Sequence, residues 1–157
     1  MSLSCQKEGA LSMSLRLDNE NVSPFFVTRR INTNQFTVYK GVHMIGDEIP
    51  WMDIVLSVDI PEDQLNRTFD LTANDQWDAW VARDMVLYSI SPEDVESGKP
   101  SKCRIKYLGG SQFDIDLQMH IKPQITSQEK IRPQVIEFFY KGNVFLIDSE
   151  GKFIESY

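Results

Sequence analysis

Trp77 and Trp80 stand among Asn74, Asp75 and Asp78, the cluster of residue types in this chain that comes nearest to a ligand site. Two indoles offer flat apolar faces to a sugar ring, while an amide and the carboxylates of Asp75 and Asp78 meet its hydroxyls. The competing reading is architectural. Tryptophans in small β-domains plug an open barrel end or cover a sandwich edge, and Trp77 and Trp80 share a face only if their segment is helical. Trp51, directly after Pro50, reads as core.

The other reactive side chains assemble into no catalytic motif. His43 and His120 are the two histidines and lie far apart, and no Cys or His pair has ligand spacing, so neither a metal site nor a cofactor is expected. His43, in a loop, is the better placed for proton chemistry; His120 falls on the polar face of a strand. There is no Gly-x-Ser-x-Gly elbow, phosphate loop or dinucleotide fingerprint. Asp75, Asp78 and Asp84 lack the glycine and terminal glutamate of a calcium loop. A dispersed Ser/His/Asp arrangement stays open, because its members need not be neighbours in sequence. Cys103 falls on an inward face with Ile105 and Tyr107, where a free thiol behaves as a small hydrophobe.

The scaffold that must position these groups is clearest at residues 103–121. Cys103, Ile105 and Tyr107 alternate with Arg104 and Lys106, and Phe113, Ile115, Leu117, Met119 and Ile121 alternate with Asp114, Asp116, Gln118 and His120. That is the pattern of two strands with one dry face and one wet. A two-residue loop at Gly109-Gly110 would bring Lys106 opposite Phe113 and put a charge inside. A three-residue loop, Gly109-Gly110-Ser111, pairs Tyr107 with Phe113, Ile105 with Ile115 and Cys103 with Leu117. On the wet side it pairs Lys106 with Asp114 and Arg104 with Asp116. Each such pair contributes roughly 0.2 to 1 kcal/mol.

Further strands are expected at Leu11–Leu17, in a hairpin on either side of Asn32-Thr33-Asn34-Gln35, at Ile54–Ile60, at Thr68–Thr72 and at Met85–Ile90. A helical turn is expected after Pro61. Val135–Tyr140 and Val144–Ile147 read as a last hairpin about Lys141-Gly142. About eight to ten short strands with only fragments of helix specify an all-β fold, one antiparallel domain over residues 11–157 behind a flexible tether at 1–10. Consecutive hairpins favour a calycin-like barrel over a β-sandwich, because closure removes exposed edges.

The 157 residues are 41% hydrophobic and carry sixteen basic against twenty-three acidic groups, a net charge of −7. A chain of this size buries roughly two thirds of its unfolded surface without disulfides. Its charge repels a phosphate backbone, so no nucleic-acid partner is expected. Arg29-Arg30, the one adjacent basic pair, reads as a solvated strand end. No apolar run approaches the length of about 20 residues that a membrane-spanning helix needs.

Leu3-Ser4-Cys5-Gln6-Lys7-Glu8 resembles the mature start of a bacterial lipoprotein, with a cysteine after small residues and before a charged stretch. Ile60-Pro61, Phe69-Asp70-Leu71-Thr72, Trp80 and the 103–121 hairpin resemble the body of small β-rich surface lipoproteins of Bacteroides-type bacteria. The resemblance implies lipid on the sulfur of Cys5 and a place at the bacterial cell envelope, on the outer membrane surface or in the periplasm. Together with the absence of a catalytic constellation, the Cys5 start favours a non-enzymatic, membrane-tethered lipoprotein that presents its β-domain for binding or for structural or adhesive assembly, with a protein or glycan as its partner. Two alternatives remain: a soluble β-barrel binding a small glycan or lipid, and a hydrolase with dispersed catalytic residues.

Overall fold

The structure, a computed structural model, describes residues 12–22, 26–40, 54–83, 86–123 and 132–154. Cys5, the 1–10 tether, His43, Trp51 and most of the connection between Lys122 and Pro133 lie outside the described residues. The fold is all-β. In chain order the strands are β1 (Ser12–Leu17), β2 (Glu20–Val22), β3 (Phe26–Arg30), β4 (Asn34–Lys40), β5 (Ile54–Ile60), β6 (Thr68–Asp70) and β7 (Asp78–Arg83). They continue with β8 (Val86–Ile90), β9 (Lys102–Gly109), β10 (Gln112–His120), β11 (Val135–Asn143), β12 (Phe145–Ile147) and β13 (Phe153–Ile154).

These strands form two sheets, one ordered β2-β1-β11-β10-β9-β6 and the other β13-β12-β3-β4-β5-β7-β8. The ladders are antiparallel except β12 against β3. Side chains alternate along each strand, so every strand sends one row inward. The first sheet contributes Ile105, Ile115, Leu117, Met119, Ile136 and Phe138 to a core completed by Val27, Phe36, Val38, Leu56, Val58 and Val81 of the second. Phe36 and Phe113 meet edge to face across the interior, with ring centroids 5.2 Å apart. Burying a side chain of this size contributes about 1.5 to 3 kcal/mol.

The β9–β10 hairpin has the register that its sequence dictates. Tyr107 lies opposite Phe113, Lys106 opposite Asp114, Ile105 opposite Ile115, Arg104 opposite Asp116 and Cys103 opposite Leu117. The register shifts between Gln112 and Phe113, and Gly109 and Gly110 have φ of 108° and 58°, values open to glycine without steric cost. The ion pair runs diagonally, Arg104 to Asp114 at 3.3 Å. Tyr107 departs from expectation: it lies at the open end of the interior and is 41% exposed.

Among the described residues the strands form two layers, with edge strands β2 and β6 on one sheet and β8 and β13 on the other, and no ladder closes them into the expected barrel. The chain changes layer repeatedly, from β5 to β6 and back to β7, and sheet-switching of this kind builds two stacked faces. The hairpin expected about Lys141-Gly142 does not form. Gly142 is a strand residue opposite Phe113, and β11 runs on to Asn143 before Val144 carries the chain across to lie parallel to β3. Alternation assigned the faces correctly but could not assign the partner.

Candidate functional site

Residues 75–78 of the sequence cluster become one wall of an open groove beside the β5–β7 ladder, and Asn74 and Trp80 lie outside its lining. Local hydrogen bonds set its shape. Asp70 Oδ1 accepts from the Thr72 N–H (2.9 Å), the Thr72 hydroxyl (2.6 Å) and the Ala73 N–H (3.3 Å), and Asn74 Nδ2 donates to the Asp70 carbonyl at 2.8 Å. This is an Asx-type turn, and the donors hold the Asp70 carboxyl below its usual range, the Thr72 hydroxyl first. Trp77 then closes the loop from inside: its indole N–H donates to the carbonyls of Leu71 (3.2 Å) and Asn74 (3.0 Å).

Trp77 is 6% exposed and belongs to the core, which leaves only an edge of its ring at the groove. The segment from Asp78 onward is extended, which sends Ala79 and Val81 inward and Asp78 and Trp80 outward. Trp77 and Trp80 therefore do not share a face. The helical condition under which the two indoles would share a face is not met, because the segment is extended from Asp78 onward.

The groove encloses about 440 Å³ and is lined by Asp59, Ile60, Pro61, Asp75, Gln76, Trp77 and Asp78. Asp59 and Asp78 are direct cross-strand partners on β5 and β7. Burial, and secondarily the Asp78 charge, push the Asp59 carboxyl above its usual range against the pull of Arg30. Gln35 stands opposite Asp59 on β4, and Arg30 Nε donates to Gln35 Oε1 at 2.9 Å, so a polar row runs from β3 to β7. The Pro61 rim is fixed from the interior, where buried Asn34 donates to the carbonyls of Pro61 (2.9 Å) and Glu62 (3.2 Å). Asp75 and Asp78 thus line one groove. Asp59 and Gln76 complete the site, and Asp59 was hidden in sequence because it precedes Asp78 by a long segment.

The other candidates disperse. Among the described residues no group of three or more His, Cys, Asp or Glu is placed to hold a metal ion. Cys103 is a free, fully buried thiol, its pKa pushed up to about 12 by burial and then by Asp116, so it is chemically quiet core. His120 is less solvated than its face suggests: Nδ1 lies 2.8 Å from the Pro100 carbonyl. At the far end of the same outer face Phe26 stacks on Tyr39 at 4.6 Å beside exposed Phe145 and Phe153, a row that no linear motif announced. No family model matches the chain, and neither does any curated protein or solved structure.

Proposed function

We propose that this chain is a non-enzymatic binding domain of the bacterial cell envelope, tethered through lipid on Cys5, whose outer groove takes a neutral polyhydroxylated ligand such as an oligosaccharide. The observation behind the ligand class is the convergence of Asp59, Asp75, Gln76 and Asp78 around one open volume of about 440 Å³. Carboxylates and amides pair with vicinal hydroxyls, while three carboxylates together repel anions. Trp80, half-buried and two residues beyond Asp78 on the same face, adds a flat apolar surface. The tether rests on the Cys5 start alone, and it puts the partner, glycan or protein, on the outer membrane surface or in the periplasm.

Titration with a panel of neutral oligosaccharides, followed by tryptophan fluorescence and calorimetry, should give a saturable response that Asp78→Asn weakens. A flat response across the panel at millimolar concentration removes the groove reading. Expression with the native upstream sequence should give acyl chains on Cys5 by mass spectrometry, and an unmodified cysteine removes the tether.

A hydrolase with dispersed catalytic residues has one observation in its favour: adjacent carboxylates, Asp59 and Asp78, of which Asp59 is pushed upward. Turnover of a glycoside that disappears in Asp59→Asn would replace the binding reading with this one. The small-ligand barrel, holding glycan or lipid in a lumen, requires ladders between the sheet edges; hydrogen-exchange protection along both β6 and β8 would support it.

A further inference from the structure

We propose that the mouth between the two sheets at Arg29 is a second binding site, distinct from the acidic groove, for a small monocarboxylate with an apolar body. Arg29 lies opposite Phe36 on the inward row of β3, so its side chain enters the interior while that of Arg30 leaves it. Its guanidinium carbon lies 6.0 Å from the Phe36 ring centroid and 5.6 Å from that of Phe113. Nε is buried without a hydrogen-bond partner, and among the described residues no carboxylate pairs with the guanidinium.

A half-buried cation whose Nε is sealed and which has no counter-ion has lost part of its hydration, and two ring faces recover only part of that loss. The space beside it suits an anion with an apolar remainder. A cavity of about 250 Å³ is lined by Arg29, Leu65, Tyr107 and Phe113, a single cationic group against apolar and aromatic walls. Those walls are held in place. Asn66, at φ 67°, donates its N–H to the Ile105 carbonyl (2.7 Å) and accepts from the Tyr107 N–H through Oδ1 (2.8 Å), while the Tyr107 hydroxyl donates to the Gly110 carbonyl (2.9 Å).

Ligand charge and shape follow from these walls. One guanidinium balances one negative charge, and a planar carboxylate matches its fork, whereas a phosphate dianion would leave excess charge among apolar walls. The volume falls below the range of about 300 to 1,000 Å³ typical of drug-sized ligands, so the body is small, an aromatic ring or a short alkyl chain.

Benzoate and octanoate are the probes, with benzamide and inorganic phosphate as controls, read by calorimetry and by the amide NMR signals of Leu65 and Tyr107 in the full chain. Benzoate or octanoate should bind saturably and shift both signals, with benzamide and phosphate much weaker. Arg29→Gln should lose roughly 10- to 100-fold in affinity, the worth of hydrogen bonds to a charged group. Should Arg29→Gln fail to fold, Tyr107→Ala at the half-exposed rim should weaken benzoate in its place. The site is overturned if neither carboxylate binds the unaltered chain, if benzamide or phosphate binds as well as benzoate, or if a folded Arg29→Gln binds benzoate undiminished; Arg29 is then only a clamp on Phe36 and Phe113.

Discussion

Arg29 and Arg30 are successive residues of β3 with opposite surroundings, and each anchors one of the two regions of interest. Arg30 points outward, where Nε reaches Gln35 and Nη1 the carbonyls of Asp148 (3.0 Å) and Ser149 (2.6 Å), and its charge reaches Asp59 in the acidic groove. Arg29 points inward to two phenylalanine rings and a sealed Nε. The same side chain thus works as a hydrogen-bonding hub on one face and as an unmatched cation on the other. Residue type alone does not say which: the pleat parity and the layer opposite decide it.

The largest expected effect lies at the wall that the inner region shares with the core. Phe113→Ala removes contacts with Phe36, Tyr107 and Arg29 and should cost about 3 to 5 kcal/mol in urea unfolding. A loss under about 1 kcal/mol would mean that the two sheets do not meet there. Next in size is Arg30→Ala, which strips three acceptors of their donor and should cost about 1 to 3 kcal/mol. Arg29→Met should by contrast stay within about 1 kcal/mol of the unaltered chain, since it exchanges a half-buried cation with no carboxylate partner for an apolar chain of similar length. Equal losses for the two would erase the distinction between inward and outward arginine.

Much of this arrangement was legible in the sequence where a physical pattern is local. The β9–β10 register followed from matching faces on both sides of a glycine turn, and the β3–β4 hairpin from its polar tip, with Asn32 at φ 62°. Alternation fixes which face a residue occupies but carries no information on which strand lies beside it. That is why Lys141-Gly142 read as a turn although Gly142 pairs with Phe113, and why consecutive hairpins suggested closure although the strands form two layers. The groove was half legible: Asp75 and Asp78 are close in sequence, but Asp59 joins them only through the β5–β7 ladder. That Arg29 and Arg30 take opposite faces was not legible, because a short basic pair at a strand end looks the same whichever way the pleat turns.

The pH responses are smaller, and they run in opposite directions at Asp59 and Asp94. Asp59 has its folded pKa raised, so its favourable contribution is complete below the unfolded range near pH 4 and is lost as pH rises through the folded value. Asp59→Asn should therefore raise the Tm at pH 7, and the gain should vanish near pH 3. Asp94 behaves the other way. Burial works to raise its carboxyl, but hydrogen bonds from Ser91 and Arg132 outweigh it, so its contribution is present above the unfolded pKa and lost as pH falls through the lower folded one. Asp94→Asn should lower the Tm at pH 7, with the loss vanishing in strong acid. Matching signs for the two variants would contradict the opposite settings of these carboxylates.

An amide NMR titration of one labelled sample, first with a neutral oligosaccharide that binds and then with benzoate, tests most directly whether the molecule carries two chemically opposite sites. Two separate sets of shifted signals are expected, the sugar moving Asp59, Gln76 and Asp78 and the benzoate moving Leu65 and Tyr107. One shared set for both probes, or no shifts at Asp59, Gln76 and Asp78 under the sugar, would contradict it.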